Sequence, residues 1–207
     1  MTIILDLDYT LLDTVRFKDA LVRALMTCGP TRQEIDAAYS DVVNRPGVVY
    51  DYDPDLQLEL LGQAVTCTRE EARKRLGDVA RRAGEFLYPG AEAFLERLRS
   101  TGAKLVLLTL GNQDWQSEKV RSSSLGKYFD RVIASVGEKR DVIVSLADPD
   151  GRTVVVNDNP EENLSMSKAA PDFVYLTKVG PKPAPVGYPF PICQSFEEIE
   201  AAIKTAK

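Results

Sequence analysis

Apolar residues along this chain follow two rhythms. Short unbroken runs at Ile3-Ile4-Leu5, Leu105 to Leu108, Arg131–Ser135, Thr153–Val156 and Phe173–Leu176 stop at polar residues. They are too short for helices and read as buried strands. Between them the spacing turns helical. Ala91–Arg99 sets Phe94, Leu95 and Leu98 on one side, and Asp114–Ser124, Lys139–Ala147 and Glu161–Ala169 also read as helices. Ser195, with Glu198 three residues on, caps a last helix. Strands alternating with helices predict an α/β fold built on a doubly wound, Rossmann-like parallel sheet. Such sheets bind ligands beyond the carboxyl ends of their strands, near the point where strand order reverses.

Residues 15–86 break this alternation. Phe17, Ala20, Leu21, Ala24 and Leu25 recur at helical spacing before the Cys28-Gly29-Pro30 stop. Thr31-Arg32-Gln33-Glu34 and Thr68-Arg69-Glu70-Glu71 both have the capping-box pattern. Asn44 to Pro54 reads as a loop with a brief β-like Val48-Val49-Tyr50, followed by helices over Asp55–Gln63 and from Arg69 to about Phe86. The expected organisation is a core domain of residues 1–14 and 87–207, with a small helical cap domain of residues 15–86 inserted after the first strand. Tyr88-Pro89-Gly90 marks the return to the core. Asp148-Pro149-Asp150-Gly151 is a turn, and the Pro-rich Gly180–Pro191 is a surface loop.

The strand ends carry the chemistry. Asp6 and Asp8 follow the first strand, two residues apart, where strand periodicity turns both toward one face. Carboxylates so close repel unless a cation lies between them, so the pair calls for a divalent metal. A carboxylate beside a magnesium-type ion can itself attack phosphorus. Thr109 ends the second strand, where a hydroxyl and free backbone N–H groups suit a phosphoryl oxygen. Asp158 ends the fourth. With Asp6 and the backbone carbonyl of Asp8 it makes the hard oxygen set that Mg2+ prefers. Lys139, chosen over Arg140 in Gly137-Glu138-Lys139-Arg140, supplies the fixed positive charge that phosphoryl transfer uses.

Composition narrows the possibilities further. None of the 207 residues is histidine, which removes Ser-His-Asp, Cys-His and His-ligated metal chemistry. A net charge of −5 argues against a nucleic-acid partner. No apolar run is long enough to span a membrane, and no signal-peptide pattern opens the chain. Cys28, Cys67 and Cys193 are scattered and odd in number, so the expectation is no disulfide framework, a reducing compartment and a cytoplasmic location.

Asp6-Leu7-Asp8-Tyr9-Thr10, with its Leu-Leu-Asp-Thr continuation, resembles the first motif of the haloacid dehalogenase-like hydrolase superfamily, DxDx[TV] after an apolar strand. Thr109, Lys139 and Asp158 match its second, third and fourth motifs in order. The resemblance implies that Asp6 is the nucleophile and Asp8 the general acid/base. Thr109 with Gln116 and Lys119 resembles a subgroup with a T-K-G-D…Q..K pattern. The fourth motif departs from the family's GD or DD. Asn157 stands before Asp158, and Glu162 is the downstream acid assigned to support the metal through water or through its ligands. The resemblance covers residues 1–14 and about 86–180.

Other motifs fare less well. Asp51-Tyr52-Asp53-Pro54-Asp55 has the spacing that opens a calcium loop, but Leu56 and Gly62 stand where glycine and glutamate are required. The Arg69, Arg73, Lys74, Arg75, Arg81 and Arg82 cluster reads as a solvated helix face. No nucleotide-binding glycine motif is present. The expected function is a magnesium-dependent phosphatase acting on a small phosphorylated metabolite. The alternatives are a phosphomutase, a haloacid dehalogenase, which needs no second aspartate, and a non-catalytic interaction module.

Overall fold

The computed structural model describes residues 1–47, 52–149 and 151–205. Val48-Val49-Tyr50, Asp51 and Asp150 therefore lie outside the described residues, and with them the brief β-like run and the first position of the calcium-like loop.

Six strands, β1 (Thr2–Leu5), β2 (Lys104–Leu110), β3 (Arg131–Ser135), β4 (Thr153–Asn157), β5 (Val174–Lys178) and β6 (Ile192–Cys193), form one sheet in the order β3-β2-β1-β4-β5-β6. Every pairing is parallel. The order reverses between β1 and β4, so the crevice beyond their carboxyl ends is the expected ligand site. β6 was not anticipated, because its two residues leave a Pro-rich segment too short to show a period.

Alternation along each strand divides the interior between the two faces of the sheet. Ile3, Leu5, Leu105, Leu107, Val154 and Val156 join a cluster with Phe94, Leu98, Ile199 and Ile203. These last four come from α5 (Ala91–Ser100) and α9 (Phe196–Thr205). Ile4, Val106, Leu108, Val155 and Tyr175 face the other way, against Ile143 of α7 (Lys139–Ile143) and Met166 of α8 (Pro160–Ala169). Central strands buried on both faces read as continuous apolar runs, which is why they were visible in the sequence.

Between β1 and β2 run α1 (Thr14–Met26), α2 (Arg32–Val43), α3 (Pro54–Leu61) and α4 (Arg69–Ala80). Phe17, Leu25, Ile35, Leu58, Leu76 and Val79 pack in the same apolar cluster as the first sheet face. Thr31 and Glu34 close a reciprocal capping box. Thr68 completes only half of one, since Glu71 donates its backbone N–H to the threonine while its carboxylate pairs with Arg75. The helix expected to reach Phe86 ends at Ala80, and Ala83–Phe86 form a separate 3₁₀ turn. Gly84 lies against the Ser122-Ser123 backbone there, an approach that a straight helix would not make. The basic face of α4 is ion-paired: Arg73 with Asp55, Lys74 and Arg81 with Asp78, Arg82 with Glu85.

One expectation is overturned. Cys28 and Cys67 form a disulfide, with Cα atoms 5.1 Å apart, while Cys193 is buried and free. The two cysteines are 39 residues apart in sequence. They meet because α1 packs on α4 and the Thr66 amide and hydroxyl both donate to the Cys28 carbonyl, at 2.7 and 3.0 Å. Scattered spacing is thus no ground for assigning a reducing compartment. Among the described residues no helix is long and apolar enough to cross a membrane.

Candidate active site

β1 stops at Leu5, although the Asp6 amide continues the ladder by donating to Val156 O at 3.0 Å. The chain then tightens. The amides of Thr10, Leu11 and Leu12 all donate to the Leu7 carbonyl, and Tyr9 takes a left-handed conformation at φ 59°. Asp6 and Asp8 therefore reach the same cavity through a compact turn and not through strand alternation. Two contacts hold the turn. The Tyr9 amide donates to Thr14 Oγ1 at 3.0 Å, and the buried Lys178 donates to the Tyr9 carbonyl at 3.2 Å while lying over the Tyr88 ring. Thr14 ends the Leu-Leu-Asp-Thr continuation of the first motif, but no sequence signal marks Lys178.

After β2, Gly111 adopts φ 121°, a conformation open to glycine and costly for other residues. The chain can then turn at once into α6 (Gln113–Ser122), capped by Asn112 Oδ1, which accepts from the Trp115 amide at 3.0 Å. This turn brings Gln116 and Lys119 beside Asp8. Lys119 Nζ lies 2.8 and 2.7 Å from the two Asp8 oxygens, Gln116 Nε2 donates to Oδ2 at 3.2 Å, and Thr14 Oγ1 donates to Oδ1 at 2.8 Å.

Asp6 has different company. Lys139, at the start of α7, places Nζ 2.8 Å from Asp6 Oδ1, 2.9 Å from Asn157 Oδ1 and 2.8 Å from Glu162 Oε2. Asn157 Nδ2 donates to Glu162 Oε2 at 3.2 Å, and Asn159 Nδ2 to Glu162 Oε1 at 3.0 Å. Asn157 thus acts as acceptor for the lysine and donor to the glutamate, a pair of contacts that neither glycine nor aspartate could make. Arg140 points outward to Glu138. Thr109 is 1% exposed and its hydroxyl has no hydrogen-bond partner among the described residues, an unsatisfied buried group at the cavity wall. Asp158 lies under Gly180, where a Cβ would come within 2.7 Å of Asp158 Oδ2, so only glycine fits there.

Electrostatics separate the carboxylates. Burial pushes Asp6 up to about 6, against the pull of Lys139 and with the push of Glu162 and Asp8. Burial and the Asp6 charge raise Asp158 to about 8. Burial would raise Asp8 as well, but the Lys119 charge and hydrogen bonds from Lys119, Thr14 and Gln116 hold it below the usual carboxylate range. Glu162 is similarly lowered, Lys139 overcoming its burial. Burial opposes the charge on Lys139, yet Asp6 and Glu162 keep it well above an ordinary lysine.

Lys119 pairs with Asp8, and Lys139 with Asp6 and Glu162, which leaves Asp158 without an ion pair among the described residues. Asp158 and Asp6 together offer the oxygen donors that a magnesium-type ion takes. Among the described residues no three acidic, imidazole or thiolate side chains cluster closely enough to hold an ion alone. A cation here would rely on two carboxylates, a carbonyl and water.

The crowding of Asp6 and Asp158 has a measurable consequence. Asp158 and Asp6 bind protons more tightly folded than at their ordinary value of 3.8. The folded state therefore holds more protons than the unfolded state from about pH 4 to 8, and stability falls as pH rises through that window. In chelator-treated buffer the urea midpoint should be lower at pH 8 than at pH 5, a loss on the order of a few kcal/mol. A flat or rising profile would contradict this charge arrangement.

Comparison with known proteins bears on the same site. The haloacid dehalogenase-like hydrolase family matches residues 1–170. A phosphoserine phosphatase from Thermus thermophilus is 34% identical over 99 residues, a match covering 41% of this chain and 37% of that protein. The chain thus spans well under half the length of this relative. Among solved structures, the HAD-hydrolase YfnB from Bacillus subtilis bound to magnesium superposes with a TM-score of 0.68 at 16% identity, covering 98% of this chain and 97% of that one. The L-2-haloacid dehalogenase of Xanthobacter autotrophicus gives 0.66 at 14% identity, covering 100% and 99%. The structural likenesses establish the fold alone. With the family match over most of its length, the chain belongs to the haloacid dehalogenase-like hydrolases and is an enzyme of that family.

Proposed function

We propose that this hydrolase is a phosphatase that cleaves a small phosphate monoester through an aspartyl-phosphate on Asp6. The observation that carries the reading is one cluster at the sheet edge. Asp6 is gripped through one oxygen by Lys139, and its other oxygen has only a long 3.5 Å contact from Thr10. The Thr109 hydroxyl, without a partner among the described residues, lines the same cavity as a donor for a phosphoryl oxygen.

In the first half-reaction, Asp6 Oδ2 attacks phosphorus in line while Lys139 and Thr109 offset charge on the phosphoryl oxygens. Lys119 keeps Asp8 ionised in the free protein. Asp8 therefore needs a proton before it can protonate the leaving alcohol. A monoester entering as its monoanion, with a second pKa of about 6, brings that proton with it. In the second half-reaction Asp8 takes a proton from the water that opens the aspartyl-phosphate. Asp6, Asp158 and the Asp8 carbonyl would hold Mg2+, which when bound supplies further positive charge to the phosphoryl group. Glu162, tied to Lys139, Asn157 and Asn159, serves by orienting the lysine.

We assign residues 15–86 the role of a cap that shields this chemistry from bulk water. Its α1 and α2 contribute Phe17, Leu21 and Tyr39 to a cavity of about 160 Å³, a volume that suits a small molecule. A haloacid dehalogenase, by contrast, has no use for a second aspartate at the position of Asp8 or for a cation. Phosphomutase chemistry differs in whether a phosphosugar replaces water as acceptor, and release of inorganic phosphate tells the two apart.

The test is hydrolysis of p-nitrophenyl phosphate, measured in Mg2+ and in chelator. Turnover in Mg2+ should fall at least roughly a hundredfold in chelator and return when the ion is restored, in line with several kcal/mol of charge stabilisation. Turnover indifferent to the chelator would refute the metal-assisted mechanism.

A further inference from the structure

The cavity has two unlike ends. At the sheet end each ammonium already has an acidic partner: Lys139 has Asp6 and Glu162, and Lys119 has Asp8. At the rim Lys182 lies 3.4 Å from Glu161. The opposite wall is apolar and aromatic. Phe17, Tyr39, Tyr52 and Trp115 line it, with Tyr52 stacked edge-on to Trp115 at 5.2 Å and 5.4 Å from Tyr39.

Lys18 stands in this aromatic wall. Its Nζ donates to Tyr9 Oη at 2.9 Å and lies 4.6 Å from the centroid of the Tyr39 ring and 5.3 Å from that of Tyr9. Among the described lysines of the cavity, it is the one with no carboxylate within ion-pair distance. Ring faces and a phenol oxygen hold the ammonium in place without neutralising it. Facing a partly desolvated cavity, a fixed positive charge strongly favours an incoming anion.

We propose that Lys18 is the recognition point for a carboxylate on the leaving portion of the substrate. The substrate class that follows is a compact phosphate monoester whose body is apolar, no larger than a single ring, and acidic at its far end. The size follows from the cavity, whose volume of about 160 Å³ must hold the phosphoryl group as well as the body, when benzene alone fills an apolar space of about 150 Å³. The carboxylate follows from the charge, because one ammonium matches one negative charge, whereas a second phosphate would carry about two. This inference rests on the phosphatase reading for the first phosphate, but its own evidence is the aromatic wall and Lys18.

Two hydrolysis-proof probes that differ in one group test it: phenylphosphonate and 4-carboxyphenylphosphonate. The chain has a single tryptophan, Trp115 in the cavity wall, so quenching of its fluorescence reports binding directly. In Mg2+ the carboxylated probe should bind about tenfold tighter to the wild type, which corresponds to about 1.4 kcal/mol. Lys18→Met should bring the ratio of the two Kd values to about one, and Lys18→Arg should keep most of it. A general loss of structure would weaken both probes alike and leave the ratio unmoved. A wild-type ratio below about twofold, a ratio that survives Lys18→Met, or no binding of either probe overturns the proposal. The phosphatase reading falls separately, on p-nitrophenyl phosphate turnover. A chain that hydrolyses the ester but shows no ratio loses the Lys18 assignment alone. A chain that shows the Lys18-dependent ratio without turnover keeps the anion site and loses the phosphatase.

Discussion

Replacing Asp6 with asparagine should abolish turnover while leaving the fold as stable as before, or more so. On the proposed mechanism the amide cannot form the acyl phosphate, and loss of a nucleophile costs on the order of a thousandfold or more in kcat. The stability half of the result is the more discriminating. Burial and the negative charges of Glu162 and Asp8 press on Asp6, and its own charge is a principal reason that Asp158 rises to about 8. Asparagine removes that repulsion, yet its carbonyl oxygen can still accept from Lys139, which also retains Asn157 and Glu162. In chelator at pH 8 the variant should therefore melt at or above the wild type, and each kcal/mol gained would raise Tm by about 2–4 °C. The gain should shrink toward pH 5, where Asp158 already holds its proton in both proteins. Catalytic groups held at a cost to stability behave this way. Turnover within tenfold of wild type would remove Asp6 from the nucleophile's role. A large drop in Tm would show that its charge stabilises the fold.

The sequence reading succeeded where local pattern and global position agree. Central strands of a parallel sheet must be apolar on both faces, so β1, β2 and β4 were plain in the one-dimensional pattern, and residues just beyond them were bound to meet at one edge. Asp6, Thr109 and Asp158 are brought together for that reason. What escaped notice depends on partners distant in sequence. Lys178 reaches back to the Tyr9 carbonyl across 169 residues, a contact that no spacing rule contains. Cys28 and Cys67 meet through helix packing. Lys18 sits on an ordinary amphipathic helix, and only the folded chain shows that its side chain enters an aromatic wall. Asn157 departs from the fourth motif's pattern, and its reason lies in the fold, where its two hydrogen-bonding ends stand between Lys139 and Glu162.

Lys139 is where the structure makes its strongest demand on stability, and Lys139→Met tests it. The side chain is 5% exposed and forms ion pairs with Asp6 and Glu162 at 2.8 Å each, while Asn157 Oδ1 accepts its third proton. Methionine fills much of the same volume, so the cost comes mainly from stranded charge and not from a cavity. Removing one partner from a buried ion pair costs about 3–5 kcal/mol, or roughly 6–20 °C in Tm for a chain of this size. The loss should depend on pH with a definite sign. Without the lysine Asp6 rises further above its ordinary value and Glu162 loses the charge that holds it down, so both take up protons more readily in the folded state and the penalty is smaller at pH 5 than at pH 8. On the proposed mechanism activity should vanish as well, because the same ammonium would face the transferred phosphoryl group. The neighbouring Arg140→Met provides the control. That guanidinium is half exposed beside Glu138, and its loss should cost less than about 0.5 kcal/mol. Calorimetry of the two variants at both pH values decides the matter. If Lys139→Met lies within about 1 kcal/mol of wild type at pH 8, or if its penalty grows as pH falls, the buried lysine is not the charge that holds Asp6 and Glu162 together.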